Sequence, residues 1–132
     1  MLIWYLARGA GVAAFAALSV ATAAGAYASR STNHVERRVI VQYLHRAAAL
    51  SGITLLLIHI GALLLDSYAK VGVLGATMPF ASGYRPAQVT LGLIAMYLLV
   101  AVAISGAMRS RFARSGKVIR AWRAIHLGSY GA

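Results

Sequence analysis

The sequence predicts an all-α integral membrane bundle, with three full transmembrane helices and the start of a fourth. Hydrophobic residues make up 61% of the 132 residues and charged residues 11%, whereas a soluble domain has about 45–50% and 25%. Three uncharged stretches are each long enough to cross a bilayer core, which takes about 20 helical residues. A soluble domain of this length could not bury so much apolar surface. The membrane lipid is therefore the expected surrounding.

The predicted helices form a single transmembrane domain, 1–132, and run over about 9–28, 39–65, 87–108 and a truncated 117–132. The first resembles a secretory signal because Ala26-Tyr27-Ala28 could be cleaved, but a signal carries its positive residues before the apolar run. Here residues 1–7 are uncharged, and Arg30, Arg37 and Arg38 follow the run, so we expect a retained helix. Between the second and third helices, residues 71–80 are too apolar for a solvated linker, and a short interfacial segment is expected.

Small residues recur every four positions along the first helix, at Ala13, Ala17, Ala21 and Gly25. Small side chains at this spacing let two membrane helices approach closely. This stripe is therefore expected to pack against a neighbouring helix.

The basic residues indicate the topology of the chain in the membrane. Ten of the 13 Lys and Arg residues lie around the first loop or after the third helix. By the positive-inside rule, the N-terminus is outside, and the first loop and C-terminus are cytoplasmic. A net charge of +11 could also indicate nucleic-acid binding, but the three uncharged stretches argue against that partner.

Several kinds of chemistry are excluded by residues that the sequence lacks. There are no cysteines, which excludes disulfides, iron–sulfur clusters held by this chain, Cys-ligated zinc and thiol catalysis. The only acidic residues are Glu36 and Asp66. They are placed so that neither a carboxylate pair nor a Ser/His/Asp arrangement is expected, and no catalytic residue is predicted.

Two histidines interrupt the apolar run of the second helix, LHRAAALSGITLLLIHI, at His45 and His59. Fourteen residues turn a helix through about 1400°, so both side chains project from one face, roughly 21 Å apart along the axis. Gly52 lies midway on that face and would leave room for the edges of two flat macrocycles. The spacing predicts that His45 and His59 ligate the iron of two haems, one near each membrane surface, and His ligation suits haem b.

A structural role for each histidine stays open, because a lone polar side chain in a membrane helix is often a hydrogen bonder. Ionisable residues within a membrane are nevertheless functional candidates by default. His34 lies in a polar loop and is expected to be solvated.

A second axial ligand for the inner haem is expected from His126, which the topology places at the depth of His45. A matching partner for His59 would fall about fourteen residues further on, beyond residue 132. The chain is then a fragment, a second subunit supplies that ligand, or only the inner haem is bound. Arg46, with Arg120 and Arg123, is placed to bind haem propionates, since Arg pairs well with carboxylates. These arginines could equally be topological anchors.

Five stretches of the chain resemble the ferric reductase-like transmembrane family, in particular its small bacterial members without a fused flavin domain. In order, they are WYLARGAGVAAF, the LHR…IHI pair, PFASGYRP, LGLIAMYLLVAVAISGAMRSR and AWRAIHLGSY. The most specific are the His pair and the Trp-Arg-x-x-His-x-x-Ser-Tyr stretch that ends at Tyr130.

The resemblance implies a helical bundle in the bacterial cytoplasmic membrane that binds two b-type haems and passes electrons across it. The family's ligand pattern falls on His45, His59 and His126. The chain has no room for the flavin and nicotinamide domain of larger members, so a quinol or a separate flavoprotein would be the electron donor. A partner subunit or an oligomer is compatible with this, and the chain would be an oxidoreductase component rather than a complete enzyme.

Two other hypotheses belong to different functional classes. The chain could be a non-redox structural or anchor subunit of a larger membrane complex, which the missing outer ligand and the small-residue stripe favour. A transporter or channel is less favoured, because Asp66 is the one acidic residue near the end of a membrane helix and is expected to be solvated there.

Overall fold

A computed structural model describes residues 1–30 and 35–108, and within them it contains helices and no strand. The helices are α1 (Leu2–Arg30), α2 (Val35–Leu65), α3 (Gly72–Thr77) and α4 (Pro86–Ala107). Helices α1, α2 and α4 are long and apolar enough to cross a membrane, which confirms the predicted fold class. The predicted fourth membrane helix, 117–132, lies outside the described residues.

Both of the first two helices begin earlier than the hydropathy pattern predicts. Helix α1 starts at Leu2 rather than near residue 9, and its first turn is closed by a hydrogen bond from the Tyr5 amide to the Met1 carbonyl. Arg8 does not end the apolar helix, because a long Arg side chain can place its charge away from the apolar surface. Helix α2 starts at Val35 with Glu36 in its first turn, where a negative charge interacts favourably with the helix dipole.

Helices α1 and α2 form a closely packed antiparallel pair. The buried face of α1 consists of alanines, Ala7, Ala10, Ala14, Ala21 and Ala24. The predicted stripe agrees with this face only in part, since Ala21 is buried, Ala17 and Gly25 are half-buried, and Ala13 is exposed. Steps of four residues drift by about 40° around a helix each time, whereas alternating steps of three and four follow a straight contact line.

The short helix α3 joins α4 to the pair. It lies within the predicted 71–80 segment and makes close backbone contacts with both α2 and α4. Its end is tied to α4 by a hydrogen bond from the Tyr97 hydroxyl to the Thr77 carbonyl. A second bond of 2.8 Å runs from the Phe80 amide to the buried Thr90 hydroxyl. Helix α4 is thus positioned mainly through α3 and its following loop.

Asp66 is buried rather than solvated, so the sequence-based expectation is wrong for this residue. Its carboxylate accepts a 2.7 Å hydrogen bond from the Ala69 amide, and the residue is 7% exposed. Asp commonly closes a turn by bonding a nearby backbone amide. Asp66 therefore serves the turn that follows α2.

Large apolar side chains lie exposed along all three long helices, among them Phe15, Leu57 and Leu98. A soluble protein rarely exposes apolar surface so extensively. These outward faces are suited to contact with membrane lipid.

Candidate functional site

The two histidines of α2 both contact the backbone of α1. The His45 Nδ1 atom lies 2.7 Å from the Ala21 carbonyl oxygen, and the His59 Nδ1 atom lies 2.7 Å from the Ala7 carbonyl oxygen. Because a carbonyl oxygen can only accept a hydrogen bond, Nδ1 must carry the hydrogen in both rings. The Nε2 atom of each neutral ring then keeps its lone pair.

The two hydrogen bonds repeat one pairing at two levels of the helix pair. Ala7 and Ala21 are fourteen residues apart on α1, as His45 and His59 are on α2. In an antiparallel pair, moving fourteen residues forward on one helix and fourteen back on the other reaches a second pair of residues in the same relative position. The two imidazoles consequently face the same neighbour, α1, from the common face of α2 that the sequence predicts.

Glycines allow the close approach of the helices beside these bonds. A Cβ atom at Gly11 would lie 2.8 Å from the His59 Nδ1 atom, and one at Gly52 would lie 2.7 Å from the Leu18 Cγ atom. The space beside Gly52 therefore receives α1, and close helix packing explains this glycine. The sequence had instead indicated a gap for macrocycle edges beside Gly52. That prediction failed because helical periodicity shows which residues share a face but not which neighbour covers the face.

His59 also lines a cavity of about 310 Å³. Its walls come from α2, α3 and its flanking loops, and α4, and they are largely apolar, including Leu56, Leu63, Val71, Leu93 and Met96. The cavity extends to the first turns of α1, where Trp4 and Arg8 border it. An imidazole in an apolar, concave setting is a typical binding arrangement for a small organic ligand or cofactor.

Three aromatic rings and two arginines cluster beside this cavity. Trp4, Arg8, Tyr84 and Arg85 line it, and Tyr68 joins them around a neighbouring pocket. The Trp4 ring centroid lies 5.3 Å from that of Tyr68 and 5.9 Å from that of Tyr84. The Arg8 guanidinium carbon lies 5.6 Å from the Trp4 centroid, and that of Arg85 lies 5.8 Å from the Tyr84 centroid. We call these five residues the aromatic–arginine rim; cation–π contacts such as these hold a guanidinium over an aromatic face.

In the sequence, Arg8, Lys70 and Arg85 are the three basic residues on the side opposite the other ten. They entered only the topology prediction, and the rim was missed. One signal was available, because Trp4 and Arg8 are four residues apart on one helix and so share a face. The other two rings come from loops that flank α3. Their convergence depends on the tertiary fold and has no local signature.

The remaining sequence-predicted site residues are not brought together in the described ranges. Arg46 is exposed on α2, next to the half-buried His45. His34, His126, Arg120 and Arg123 lie outside the described residues. The pairing of His45 with His126 and the propionate roles of Arg46, Arg120 and Arg123 stay predictions. In residues 1–30 and 35–108, no three His, Asp or Glu side chains cluster so as to hold a metal ion.

The described histidines fit the chemistry of an axial haem ligand. A metal-binding His almost always donates its other ring N–H to a carbonyl, a carboxylate or water, which fixes the tautomer and ring orientation. His45 and His59 have this arrangement, with the α1 carbonyls as acceptors. Comparison of the chain with protein-family models, curated proteins and solved structures finds no match.

Proposed function

We propose that this chain is a haem b-binding membrane protein that carries electrons across the bilayer, similar to ferric reductases. The observation that carries the proposal is the matched pair of imidazoles on α2. Each donates from Nδ1 to an α1 carbonyl and keeps Nε2 for a ligand. They are roughly 21 Å apart along the axis, which suits two cofactors at different depths.

The chain's own residues have two tasks in this proposal. The Ala7 and Ala21 carbonyls hold the imidazoles in one orientation and increase the basicity of Nε2. The apolar wall around His59 excludes water, and burial is one of the means by which a protein tunes a haem potential. Haem iron, when bound, supplies the one-electron redox couple. No proton transfer by a side chain is required.

The proposed direction of transfer rests on the topology that the charges favour. Arg8, Lys70 and Arg85 belong to the end of the bundle where α1 begins and α2 ends, and the remaining Lys and Arg residues, including Arg46, lie toward the other end or in the C-terminal segment. The positive-inside rule supports a cytoplasmic location for the richer side. Electrons would enter there from a quinol or a flavoprotein and leave near His59, in the bacterial cytoplasmic membrane.

A specific observation favours a second candidate function, a structural or anchor subunit. The same two hydrogen bonds tie α1 to α2, so the histidines could serve only as links between helices. Within a membrane, such interhelical hydrogen bonds contribute about 0.6 kcal/mol on average. A purely structural role uses only the Nδ1–H donor of each histidine, whereas haem ligation uses Nε2 as well.

Substitution of each histidine by Asn separates the two functions, because the Asn amide can replace the Nδ1–H donor but offers no nitrogen lone pair to iron. We expect the purified wild-type chain, expressed with ample haem, to give a reduced-minus-oxidised haem spectrum. His59→Asn should then remove the outer haem while the protein still purifies as a folded species. His34→Asn is the matched control and should keep the wild-type haem content.

Haem quantified per polypeptide decides between the hypotheses. About two haems, one lost in His45→Asn and the other in His59→Asn, would mean that both histidines ligate. About one haem that depends on His45 and not on His59 would leave only the inner site. A haem-free wild-type protein whose Asn variants fold normally would contradict the proposal and favour the structural subunit.

A further inference from the structure

The aromatic–arginine rim carries two positive charges for which the chain offers no acidic side chain. Glu36 is at the opposite end of α2, and the Asp66 carboxylate is buried and bonded to the Ala69 amide. Among the described residues, neither Arg8 nor Arg85 forms an ion pair. Like charges that border one cavity repel each other, and an anion bound between them would relieve that repulsion.

The backbone of Arg85 supports a role beyond topology. It adopts a left-handed conformation, with φ 41° and ψ 64°, directly before Pro86 at the start of α4. A non-glycine residue in this region is strained, and such strain is concentrated at functional sites. Arg85 lines the cavity in this strained conformation. A basic residue that only fixed the topology could lie at any nearby position and would not need the strain.

We propose that Arg8 and Arg85 form a carboxylate clamp at the outer border of the cavity, which positions the propionates of a haem whose iron His59 binds. This inference rests on the proposed function. Three features of the cavity select the ligand: an imidazole, an apolar wall, and two guanidiniums at the border. A phospholipid would satisfy the wall and the guanidiniums, and a free anion only the guanidiniums. A haem satisfies all three.

The geometry assigns Arg8 and Arg85 as positioning residues. Arg8 follows Ala7, whose carbonyl accepts the His59 hydrogen bond, so the clamp and the ligand are anchored on adjacent residues of α1. The stacked rings of Trp4 and Tyr84 limit the freedom of both guanidiniums. Less conformational entropy is then lost when a carboxylate binds.

The test compares haemin with its dimethyl ester, in which both propionates are neutral, by titration into the full chain prepared without haem. We expect the wild type to bind haemin about tenfold more tightly than the ester, the size typical of a charge-assisted hydrogen bond. Arg8→Gln with Arg85→Gln should abolish this preference, and Arg→Lys at both positions should restore part of it. Higher salt should weaken the preference, since both arginines are exposed.

Lys70→Gln is the matched control, because Lys70 is an exposed cation at the same end, also with positive φ, that does not line the cavity. It should leave the preference unchanged. An equal loss in Lys70→Gln would mean that only the general field of the surface acts, which would overturn the clamp. Full preference in the Arg8/Arg85 double variant, or none in the wild type, would also overturn it.

The failure of the proposed function has a different signature. If His59→Asn binds haemin as well as the wild type does, the His59 ligand is wrong, and the clamp fails with it. If haem binding depends on His59 but the ester binds equally well, the proposed function stands and only the clamp is wrong. Retention of phosphatidylglycerol that depends on Arg8 and Arg85, without any haemin preference, would assign the border to a lipid headgroup instead.

Discussion

The orientation of the His59 imidazole depends on the absence of a side chain at Gly11. A Cβ atom at Gly11 would lie 2.8 Å from His59 Nδ1 and 3.0 Å from Cε1, closer than non-bonded atoms tolerate. With a Cβ atom at residue 11, the imidazole or the α1 backbone must shift, which strains the bond to the Ala7 carbonyl. At the residue scale, Gly11 is therefore a positioning residue for His59, the proposed outer ligand.

Gly11→Ala should consequently displace the ring and weaken haem binding at His59 by about tenfold or more, since the hydrogen bond that orients a metal ligand typically contributes 10–100-fold in affinity. Gly9→Ala is the matched control, because no atom lies within 4 Å of a Cβ at that position. Haemin titration of both variants tests this. Equal binding by Gly11→Ala and Gly9→Ala would show that the orientation of His59 does not matter.

At the scale of elements, the contact between α1 and α2 depends on small residues in an alternating three-and-four spacing. Ala14 is 2% exposed against α2, whereas the adjacent Ala13 is exposed. We expect Ala14→Leu to force the helices apart and destabilise the fold by about 1–3 kcal/mol, as overpacking usually does. Ala13→Leu should be nearly neutral, because the added side chain would point away from the contact.

Thermal unfolding in detergent, with the two variants measured side by side, tests this assignment. A greater loss in Ala13→Leu than in Ala14→Leu would restore the four-residue stripe that the sequence suggested. Since both substitutions add the same side chain to the same helix, differences in helix propensity cancel.

The same element shows how far the sequence could be used. Hydropathy predicted α1, α2 and α4, and periodicity placed His45 and His59 on one face of α2, because both depend only on local spacing. The neighbour covering that face was not predictable, since many faces of α1 carry Ala or Gly. The rim was missed for a related reason, since Trp4, Tyr68 and Tyr84 come from three separated segments. The burial of Asp66 was not predicted because it depends on the turn after α2 and not on the helix itself.

At the scale of the whole molecule, the cavity beside His59 is bounded on one side by α4, which is held mainly through α3. Gly92 lines this cavity, and no atom lies within 4 Å of a Cβ at that position. Gly92→Leu should therefore fold well and reduce the space for a ligand. We expect it to lower haem occupancy at the outer site several-fold with little change in the inner site.

Ala95→Leu, on an exposed part of α4 that does not line the cavity, is the control and should keep full occupancy. Haem quantification combined with thermal unfolding measures both effects. A ligand that binds only the folded state at about 100 times its Kd stabilises it by about 2.7 kcal/mol. Added haemin should thus raise the unfolding temperature of Ala95→Leu more than that of Gly92→Leu; equal gains would place the ligand elsewhere.

The repeated His–carbonyl pairing has a mechanical consequence. Any sliding of α1 along α2 would lengthen both hydrogen bonds together, because Ala7 and Ala21 are as far apart on one helix as His59 and His45 are on the other. The two bonds, worth about 0.6 kcal/mol each on average, therefore oppose sliding together and favour one register of the pair. The interval between the two imidazoles, roughly 21 Å by helix geometry, is set by α2 alone, because both belong to that helix, so sliding of α1 would change the support of the rings and not their separation.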